Sequence, residues 1–129
     1  MNIFVTGGSG FIGSSLMNLI ARKENFISAI SRTDCDFLGS IDLPIRGDIG
    51  RMNEDDKLLK TLESVLENTD VVVHMAGRAH IMVDSSTSPL AEFRRINRDA
   101  TLSLAKIAAK SKVKRFIFLS SIGVNGNQN

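Results

Sequence analysis

The feature that most constrains this chain is a glycine-rich turn between two apolar segments. Residues 7–13, GGSGFIG, hold four glycines in seven positions. The preceding NIFVT is typical of a buried strand. The following segment 9–23 has the helical spacing of Ile12, Leu16, Leu19 and Ile20. A strand, a glycine turn and a helix in this order predict a dinucleotide site rather than an ordinary turn. A mononucleotide P-loop is disfavoured, because no Gly-Lys-Ser/Thr closes the turn.

The rest of the chain alternates between strand and helix patterns. Strands are predicted at 26–31, 43–48, 70–77 and 114–121, and helices at 54–68 and 88–111. Such alternation favours a parallel sheet with right-handed crossovers. We therefore predict one α/β domain over residues 1–129. Its fold should be the N-terminal half of a Rossmann-like doubly wound sheet, with three α/β/α layers and strand order 3-2-1-4-5.

Ligands of such sheets bind beyond the carboxyl ends of the strands. Gly7 would allow the tight turn, Gly10 the close approach of a diphosphate, and Gly13 the packing of helix on strand. After the second strand, Ser31 and Arg32 stand where a carboxylate would favour NAD. A hydroxyl and a guanidinium suit a 2′-phosphate, so we expect NAD or NADP with a lean to NADP, although Arg32 also fits a solvated surface position.

Composition excludes several other classes. Sixteen basic and 14 acidic residues give a net charge of +2, which argues against a nucleic-acid partner. No apolar run is long enough for a membrane-spanning helix. The single cysteine, Cys35, is expected to be a reduced thiol in a cytoplasmic protein. His74 and His80 lack the companions of a metal site, and His74 within its apolar strand is expected to be a core residue.

Five ordered motifs, TGGSGFIG, GDI, HMAG, Asn97 and FLSSIGVNG, resemble the extended short-chain dehydrogenase/reductase family. Within it, the chain is similar to the NAD-dependent epimerases, dehydratases and ketoreductases of sugar nucleotides. The segments from HMAG onward further resemble a bacterial UDP-N-acetylhexosamine branch of surface-polysaccharide biosynthesis.

The resemblance implies a set of site residues. Gly7, Gly10, Phe11, Ile12 and Gly13 would line the diphosphate, and Met75, Ala76 and Gly77 would form a wall beside it. The family more often has Ala in place of Gly77. Asp48 and Ile49 would hold adenine, although Asp48 beside a glycine also fits a plain turn.

The resemblance also assigns residues near the reacting groups. Asn97 shares a helical face with Phe93, Ala100, Thr101 and Leu104, so we expect a buried amide that braces the sheet near the cofactor. Ser121 would be the catalytic hydroxyl, with Ser120 just before it near the cofactor. Without the other motifs, both serines would be read as the end of a strand. Asn125 stands where the family usually has Tyr.

The family's acid/base is a Tyr in a Tyr-x-x-x-Lys helix, and this chain contains no Tyr. We therefore expect an inactive N-terminal portion of a nucleotide-sugar epimerase or 4-ketoreductase. Its sugar cannot be specified from these residues. The alternative is a non-catalytic dinucleotide-sensing or interaction module of the same fold. The free edge of the last strand predicts self-association, or a homodimer.

Overall fold

The computed structural model describes residues 1–21, 23–34, 41–78 and 87–121. Its strands are β1 (Asn2–Thr6), β2 (Phe26–Ser31), β3 (Leu43–Arg46), β4 (Val71–His74) and β5 (Arg115–Phe118). Its helices are α1 (Phe11–Ile20), α2 (Asp56–Leu66), α3 (Pro89–Arg94) and α4 (Ala100–Lys110). A 3₁₀ turn spans Ile49–Arg51, and a π-helical segment spans Arg95–Asp99. Cys35, His80 and Asn125 lie outside the described residues.

The strands form one parallel sheet in the order β3-β2-β1-β4-β5, which confirms the predicted topology. The central strand β1 is paired on both sides, with Thr6 level with Ile30 of β2 and His74 of β4. The sheet therefore reverses its direction of winding beside β1, and the strands on both sides of that point end level with Thr6. This is the crevice in which doubly wound sheets bind ligands.

Each face of the sheet has its own core, because successive β1 side chains point to opposite faces. Ile3 and Val5 pack with Met17 of α1 on one face. Phe4 packs with Leu62 of α2 and Leu104 of α4 on the other. Two helical layers around the sheet follow, as the sequence predicted. Within the described ranges, no helix combines the length and apolar composition that crossing a bilayer requires.

The buried face of α1 differs from the prediction. Its buried residues are Gly13 and Met17, whereas Ile12 and Leu19 are exposed. The predicted stripe consists of large aliphatic side chains, Ile12, Leu16, Leu19 and Ile20. The real contact surface is instead centred on a glycine, which lets the helix approach the preceding turn closely.

The last predicted helix is also not one regular α-helix. It is divided between α3 and α4 by the π-helical segment, which contains Asn97. A π segment inserts an extra residue into a turn and so changes which side chains share a face. The face predicted from regular helical spacing therefore does not hold at Asn97, which is exposed rather than buried.

Candidate functional site

A cavity of about 450 Å³ lies at the carboxyl ends of β1, β2 and β4. It is bounded by the glycine turn, the residues after β2 and β3, the segment after β4 and one residue of the π segment. The lining residues are Gly7, Ser9, Gly10, Ile30, Ser31, Arg32, Thr33, Gly47, Asp48, Ile49, Met75, Ala76, Gly77, Arg78 and Ile96. The structure thus brings most of the predicted binding residues to one crevice.

The glycine turn forms one wall of this cavity. Gly7 has a φ of 72°, and a Cβ there would lie 2.6 Å from the backbone nitrogen of Ala76. The backbone N–H of Gly10 donates to the carbonyl oxygen of Gly7 at 3.1 Å, which closes the turn. Gly10 is also the N-cap of α1, so the free N–H groups of the first helical turn begin at the cavity wall.

Three other residues of this region do not line the cavity. Gly13 lies under the turn, where a Cβ would overlap the Gly7 carbonyl oxygen and come within 2.8 Å of Gly8 Cα. Its close contact is therefore with the turn itself rather than with the strand. Phe11 is 93% exposed and Ile12 is 55% exposed, so both side chains point away from the described core.

The end of β2 supplies a polar edge. Ser31 Oγ accepts the backbone N–H of Thr33 at 3.3 Å and lies 3.4 Å from the Thr33 hydroxyl. Arg32, between them, is exposed and lines the cavity. The arrangement places a guanidinium and hydroxyl groups where the segment after β2 faces the crevice.

The segment after β3 combines a fixed carboxylate with an apolar surface. Asp48 is the N-cap of the 3₁₀ turn, and its Oδ1 accepts the backbone N–H of Gly50 at 2.9 Å. Ile49 beside it is buried and lines the cavity, together with Ile30 and Ile96. A carboxylate beside aliphatic side chains suits a flat aromatic ring that carries an amino group.

An ion pair lies behind this segment. Arg95 donates from Nε and Nη2 to the two carboxylate oxygens of Glu92, at 3.2 and 2.7 Å. The bond to Arg95 lowers the pKa of Glu92. A Cβ on Gly50 would lie 2.8 Å from Ile96 Cγ1 and 3.0 Å from Arg95 Nη1, so the side chains of the π segment pack closely against the 3₁₀ turn at this glycine.

The wall after β4 is held by Asn97. The Asn97 amide accepts the backbone N–H of Arg78 at 2.7 Å and donates to the carbonyl oxygen of Arg78 at 2.9 Å. A Cβ on Gly77 would lie 3.3 Å from Asn97 Oδ1, a close but tolerable contact. Asn97 itself does not line the cavity. Although exposed, it makes the kind of bracing contact that was expected of a buried amide, and it does so on the segment after β4.

His74 is a core residue, as predicted. Its side chain is 0% exposed. Its Nδ1 lies 2.6 Å from Thr6 Oγ1 and its Nε2 lies 2.8 Å from Thr101 Oγ1. The rings of Phe116 and Phe118 lie 6.2 and 5.6 Å from the imidazole, centre to centre. Burial lowers the pKa of His74 to about 4, so the ring is neutral at physiological pH.

Ser120 and Ser121 follow the end of β5, and both are exposed. Neither lines the cavity. The structure thus leaves the predicted catalytic serine outside the crevice that gathers the binding residues. Among the described residues, no group of three or more His, Cys, Asp or Glu side chains is arranged to hold a metal ion.

Several contributors were missed from the sequence. Ile30, Gly47 and Ile96 line the cavity, and Thr6 and Thr101 contact His74. Ile30 and Gly47 each lie next to a predicted site residue, so adjacency was an available signal. In the sequence Thr101 stands out only as a helical neighbour of Asn97, because its contact with His74 spans 27 positions.

The sequence matches the model of the NAD dependent epimerase/dehydratase family over residues 3–129. It is 38% identical to the UDP-glucose 4-epimerase of Vibrio cholerae, covering 97% of this chain and 36% of that protein. It is 32% identical to the dTDP-glucose 4,6-dehydratase of Haemophilus influenzae, covering 98% of this chain and 41% of that protein. The chain thus spans about two-fifths of the length of these relatives.

Solved structures agree with this assignment. MoeE5 in complex with UDP-glucuronic acid and NAD superposes with a TM-score of 0.79 at 29% identity, over 100% of this chain and 40% of that one. The UDP-glucose 4-epimerase of Thermotoga maritima with UDP-glucose gives a TM-score of 0.75 at 27% identity, over 95% and 38%. The chain belongs to the NAD dependent epimerase/dehydratase family.

Proposed function

We propose that this chain binds the dinucleotide NAD or NADP in the 450 Å³ cavity. The glycine turn and the first turn of α1 would hold the diphosphate. Asp48 and Ile49 would hold adenine, and Met75, Ala76 and Gly77 would flank the diphosphate and ribose. When bound, the nicotinamide would supply hydride exchange, which the protein alone cannot perform.

The observation that carries this proposal is the backbone surface at the turn. A Cβ at Gly7 or Gly13 would collide with backbone atoms, and Gly10 presents bare backbone to the cavity. Such a surface allows a diphosphate to approach main-chain N–H groups at the start of a helix. The relative MoeE5 was solved with NAD, which supports the same ligand class.

The test is calorimetric titration of the 129-residue chain with NAD, NADH, NADP and NADPH. Gly10→Val would place a side chain in the cavity at a φ of −72° and a ψ of 172°, which any residue adopts. A Cβ at Gly10 meets one atom, the Gly7 oxygen at 3.3 Å, so the fold should survive. We expect binding to weaken at least about ten-fold.

The matched control is Asn18→Val, which adds the same side chain at an exposed position of α1 outside the cavity. Binding to this variant should be unchanged. Failure of the unsubstituted chain to bind any of the four dinucleotides would contradict the proposal.

For the parent activity we propose an NAD(P)-dependent nucleotide-sugar epimerase or 4-ketoreductase. The support is the family and the relatives named for UDP-glucose and dTDP-glucose reactions. Ser121 would hydrogen-bond a sugar oxygen in that enzyme, a role that stays a prediction. The 129 residues contain no Tyr to act as the family's acid/base. We therefore expect no turnover of UDP-glucose or UDP-N-acetylglucosamine by this chain alone.

The alternative is a non-catalytic dinucleotide-sensing or interaction module of the same fold, which is motivated by the lack of Tyr within these 129 residues. Dinucleotide titration does not separate the two proposals, because both require the same cavity. The reading frame after codon 129 does. An uninterrupted frame that encodes Tyr-x-x-x-Lys would exclude the module, and a stop codon would favour it.

The outer edge of β5 supports a proposal of self-association. Within the described residues β5 pairs with β4 alone, and Ile117, Phe118 and Leu119 are 45%, 46% and 44% exposed. An apolar strand edge can pair with the same strand of a second copy. Light scattering should show dimers or larger species whose mass rises with concentration. A monomer at the highest soluble concentration would contradict this.

A further inference from the structure

A chain of hydrogen bonds runs behind the cavity wall through buried His74. At one end, the backbone N–H of Ala76 donates to Thr6 Oγ1 at 3.1 Å. Thr6 Oγ1 contacts His74 Nδ1 at 2.6 Å, and His74 Nε2 contacts Thr101 Oγ1 at 2.8 Å. At the other end, the Thr101 hydroxyl donates to the carbonyl oxygen of Asn97 at 3.0 Å. This series of hydrogen bonds joins β1, β4, α4 and the π segment.

The direction of every bond in this series follows from its Asn97 end and from the neutral state of the imidazole. The Asn97 carbonyl can only accept, so the single hydrogen of the Thr101 hydroxyl is used there, and its oxygen accepts from His74 Nε2–H. At the other end, Thr6 Oγ1 accepts the Ala76 N–H with one lone pair and keeps a second lone pair and its own hydrogen, so this end alone fits either direction of the bond to His74 Nδ1. Burial lowers the pKa of His74 to about 4, so the imidazole is neutral and its single proton lies on Nε2, where Thr101 Oγ1 accepts it. His74 Nδ1 then accepts the hydrogen of the Thr6 hydroxyl.

Together with the contacts of the Asn97 side chain, these hydrogen bonds form a closed ring that includes the cavity wall. The Asn97 side chain is paired with the backbone N–H and carbonyl of Arg78. The segment from Ala76 to Arg78 is thus held at one end by Thr6 and at the other by Asn97. Both holding groups are linked to each other through His74.

A direct role in chemistry does not fit His74. The side chain is 0% exposed, it does not line the cavity, and Phe116 and Phe118 pack beside the ring. It cannot reach a ligand in the crevice without a rearrangement of the core. What it does contact is the Thr6 hydroxyl, which holds the wall, and the Thr101 hydroxyl, which is bonded to the backbone carbonyl of Asn97.

We propose that His74, as the Nε2–H tautomer, is a positioning residue that fixes the Ala76–Arg78 wall of the dinucleotide cleft. The ligand part of this inference rests on the proposed function, whereas the tautomer and the rigidity of the wall do not. The expected consequence is that loss of a hydroxyl partner loosens the wall and weakens dinucleotide binding, with little effect on the rest of the fold.

The first test needs no ligand. Long-range ¹H–¹⁵N spectra of the ¹⁵N-labelled chain at neutral pH should show an unprotonated Nδ1 and a protonated Nε2 on His74. His80 provides an internal comparison in the same spectrum. A proton on Nδ1, or an imidazolium, would overturn the proposal.

The second test uses Thr101→Val, which keeps the shape of the side chain but removes the acceptor of His74 Nε2–H. A buried donor left without a partner is costly, so we expect dinucleotide binding to weaken about ten-fold. Amide exchange at Arg78 and Ala76 should quicken. Thr101→Ser keeps the hydroxyl and should restore both measurements.

The matched control is Thr61→Val. The Thr61 hydroxyl donates to the carbonyl oxygen of Lys57 at 2.9 Å, the same four-residue helical bond that Thr101 makes to Asn97, but in α2 and away from the cavity. This variant should change neither binding nor exchange. Equal effects in Thr61→Val and Thr101→Val, or unchanged exchange at Arg78 in Thr101→Val, would overturn the proposal.

The two proposals fail in different ways. If the unsubstituted chain binds no dinucleotide, the proposed function fails, while the tautomer and the exchange measurements still decide the role of His74. If Thr101→Val does not fold, Thr101→Ser and the tautomer of the unsubstituted chain decide it.

Discussion

The two ends of the β1–β4 pair are both cross-linked by side chains, but with opposite chemistry. At the carboxyl end, Thr6, His74 and Thr101 form a neutral chain around a fully buried imidazole. At the amino end, the Asp70 carboxylate accepts the backbone N–H of Asn2 at 2.8 Å and the Lys114 ammonium at 2.7 Å. The Lys114 side chain is 79% exposed.

This difference indicates how each end tolerates change. A buried polar group that loses its hydrogen-bond partner destabilises the fold by the full cost of its removal from water. The carboxyl end therefore depends on every one of its bonds. Exposed ion pairs compete with water and salt, so the amino end can lose one at little cost. The cavity lies at the carboxyl end, where the geometry is therefore the more strictly defined.

The largest effect that would sharpen this contrast is expected from Gly13→Ala. The new Cβ would overlap the Gly7 carbonyl oxygen and lie within 2.8 Å of Gly8 Cα, and backbone atoms cannot yield as side chains do. We expect a loss of at least about 3 kcal/mol in the free energy of unfolding, measured by urea denaturation. Gly10→Ala, whose Cβ meets one atom at 3.3 Å, should lose less than about 1 kcal/mol. Equal stability of the two variants would contradict the packing of α1 on the turn.

The next largest effect is the pH dependence caused by His74. Burial lowers its pKa from 6.5 to about 4, so the unfolded chain takes up a proton at a higher pH than the folded chain. The contribution of the neutral His74 ring to the free energy of unfolding is therefore fully present above pH 6.5 and decreases as the pH falls towards 4. The expected loss from this one group is about 3 kcal/mol.

Urea denaturation across that pH range measures this loss, and His74→Gln serves as the reference. Carboxylates titrate in both proteins, so the difference between their pH profiles isolates the histidine. Parallel profiles would show that His74 is not a buried neutral base and would remove the contrast between the two ends of the strand pair.

The fold was predictable because it depends on local patterns. Alternating strand and helix segments determined the strand order, and the FISAIS segment coincides with β2 (Phe26–Ser31). The face of α1 was not predictable from apolar spacing, because a glycine makes the closest contact. The π segment was equally hidden, since no Pro or Gly lies within residues 90–110 to indicate an irregular turn.

The site residues were predictable only where they directly follow a predicted strand in the sequence. The glycine turn and the residues after β2, β3 and β4 reach the cavity because parallel strands end on one edge. The contact of Thr6 with His74 spans 68 positions, and the contact of His74 with Thr101 spans 27. Such pairs depend on register and helix placement, which one sequence does not reveal.

A smaller effect is expected from Arg32→Ala, which tests an exposed charge at the carboxyl end. If this guanidinium pairs with a 2′-phosphate, binding of NADP should weaken about ten-fold while binding of NAD stays unchanged. Arg46→Ala is the control, since Arg46 is also exposed, is paired with Asp34 at 3.0 Å and does not line the cavity. An unchanged ratio of NADP to NAD affinity would remove the role assigned to Arg32.

The smallest effect is expected at the amino end, from Asp70→Asn. The backbone N–H of Asn2, and then Lys114, hold the pKa of Asp70 below its ordinary value of 3.8. The stabilisation is therefore complete above pH 3.8 and is lost as the pH falls through the lower folded pKa. At neutral pH, urea denaturation should give the variant a slightly lower free energy of unfolding than the unsubstituted chain. This difference in stability should disappear in acid. Salt should narrow the gap as well, because it screens Lys114. Dinucleotide binding should not change, and a loss of binding comparable to that of Thr101→Val would mean that the two ends are not independent.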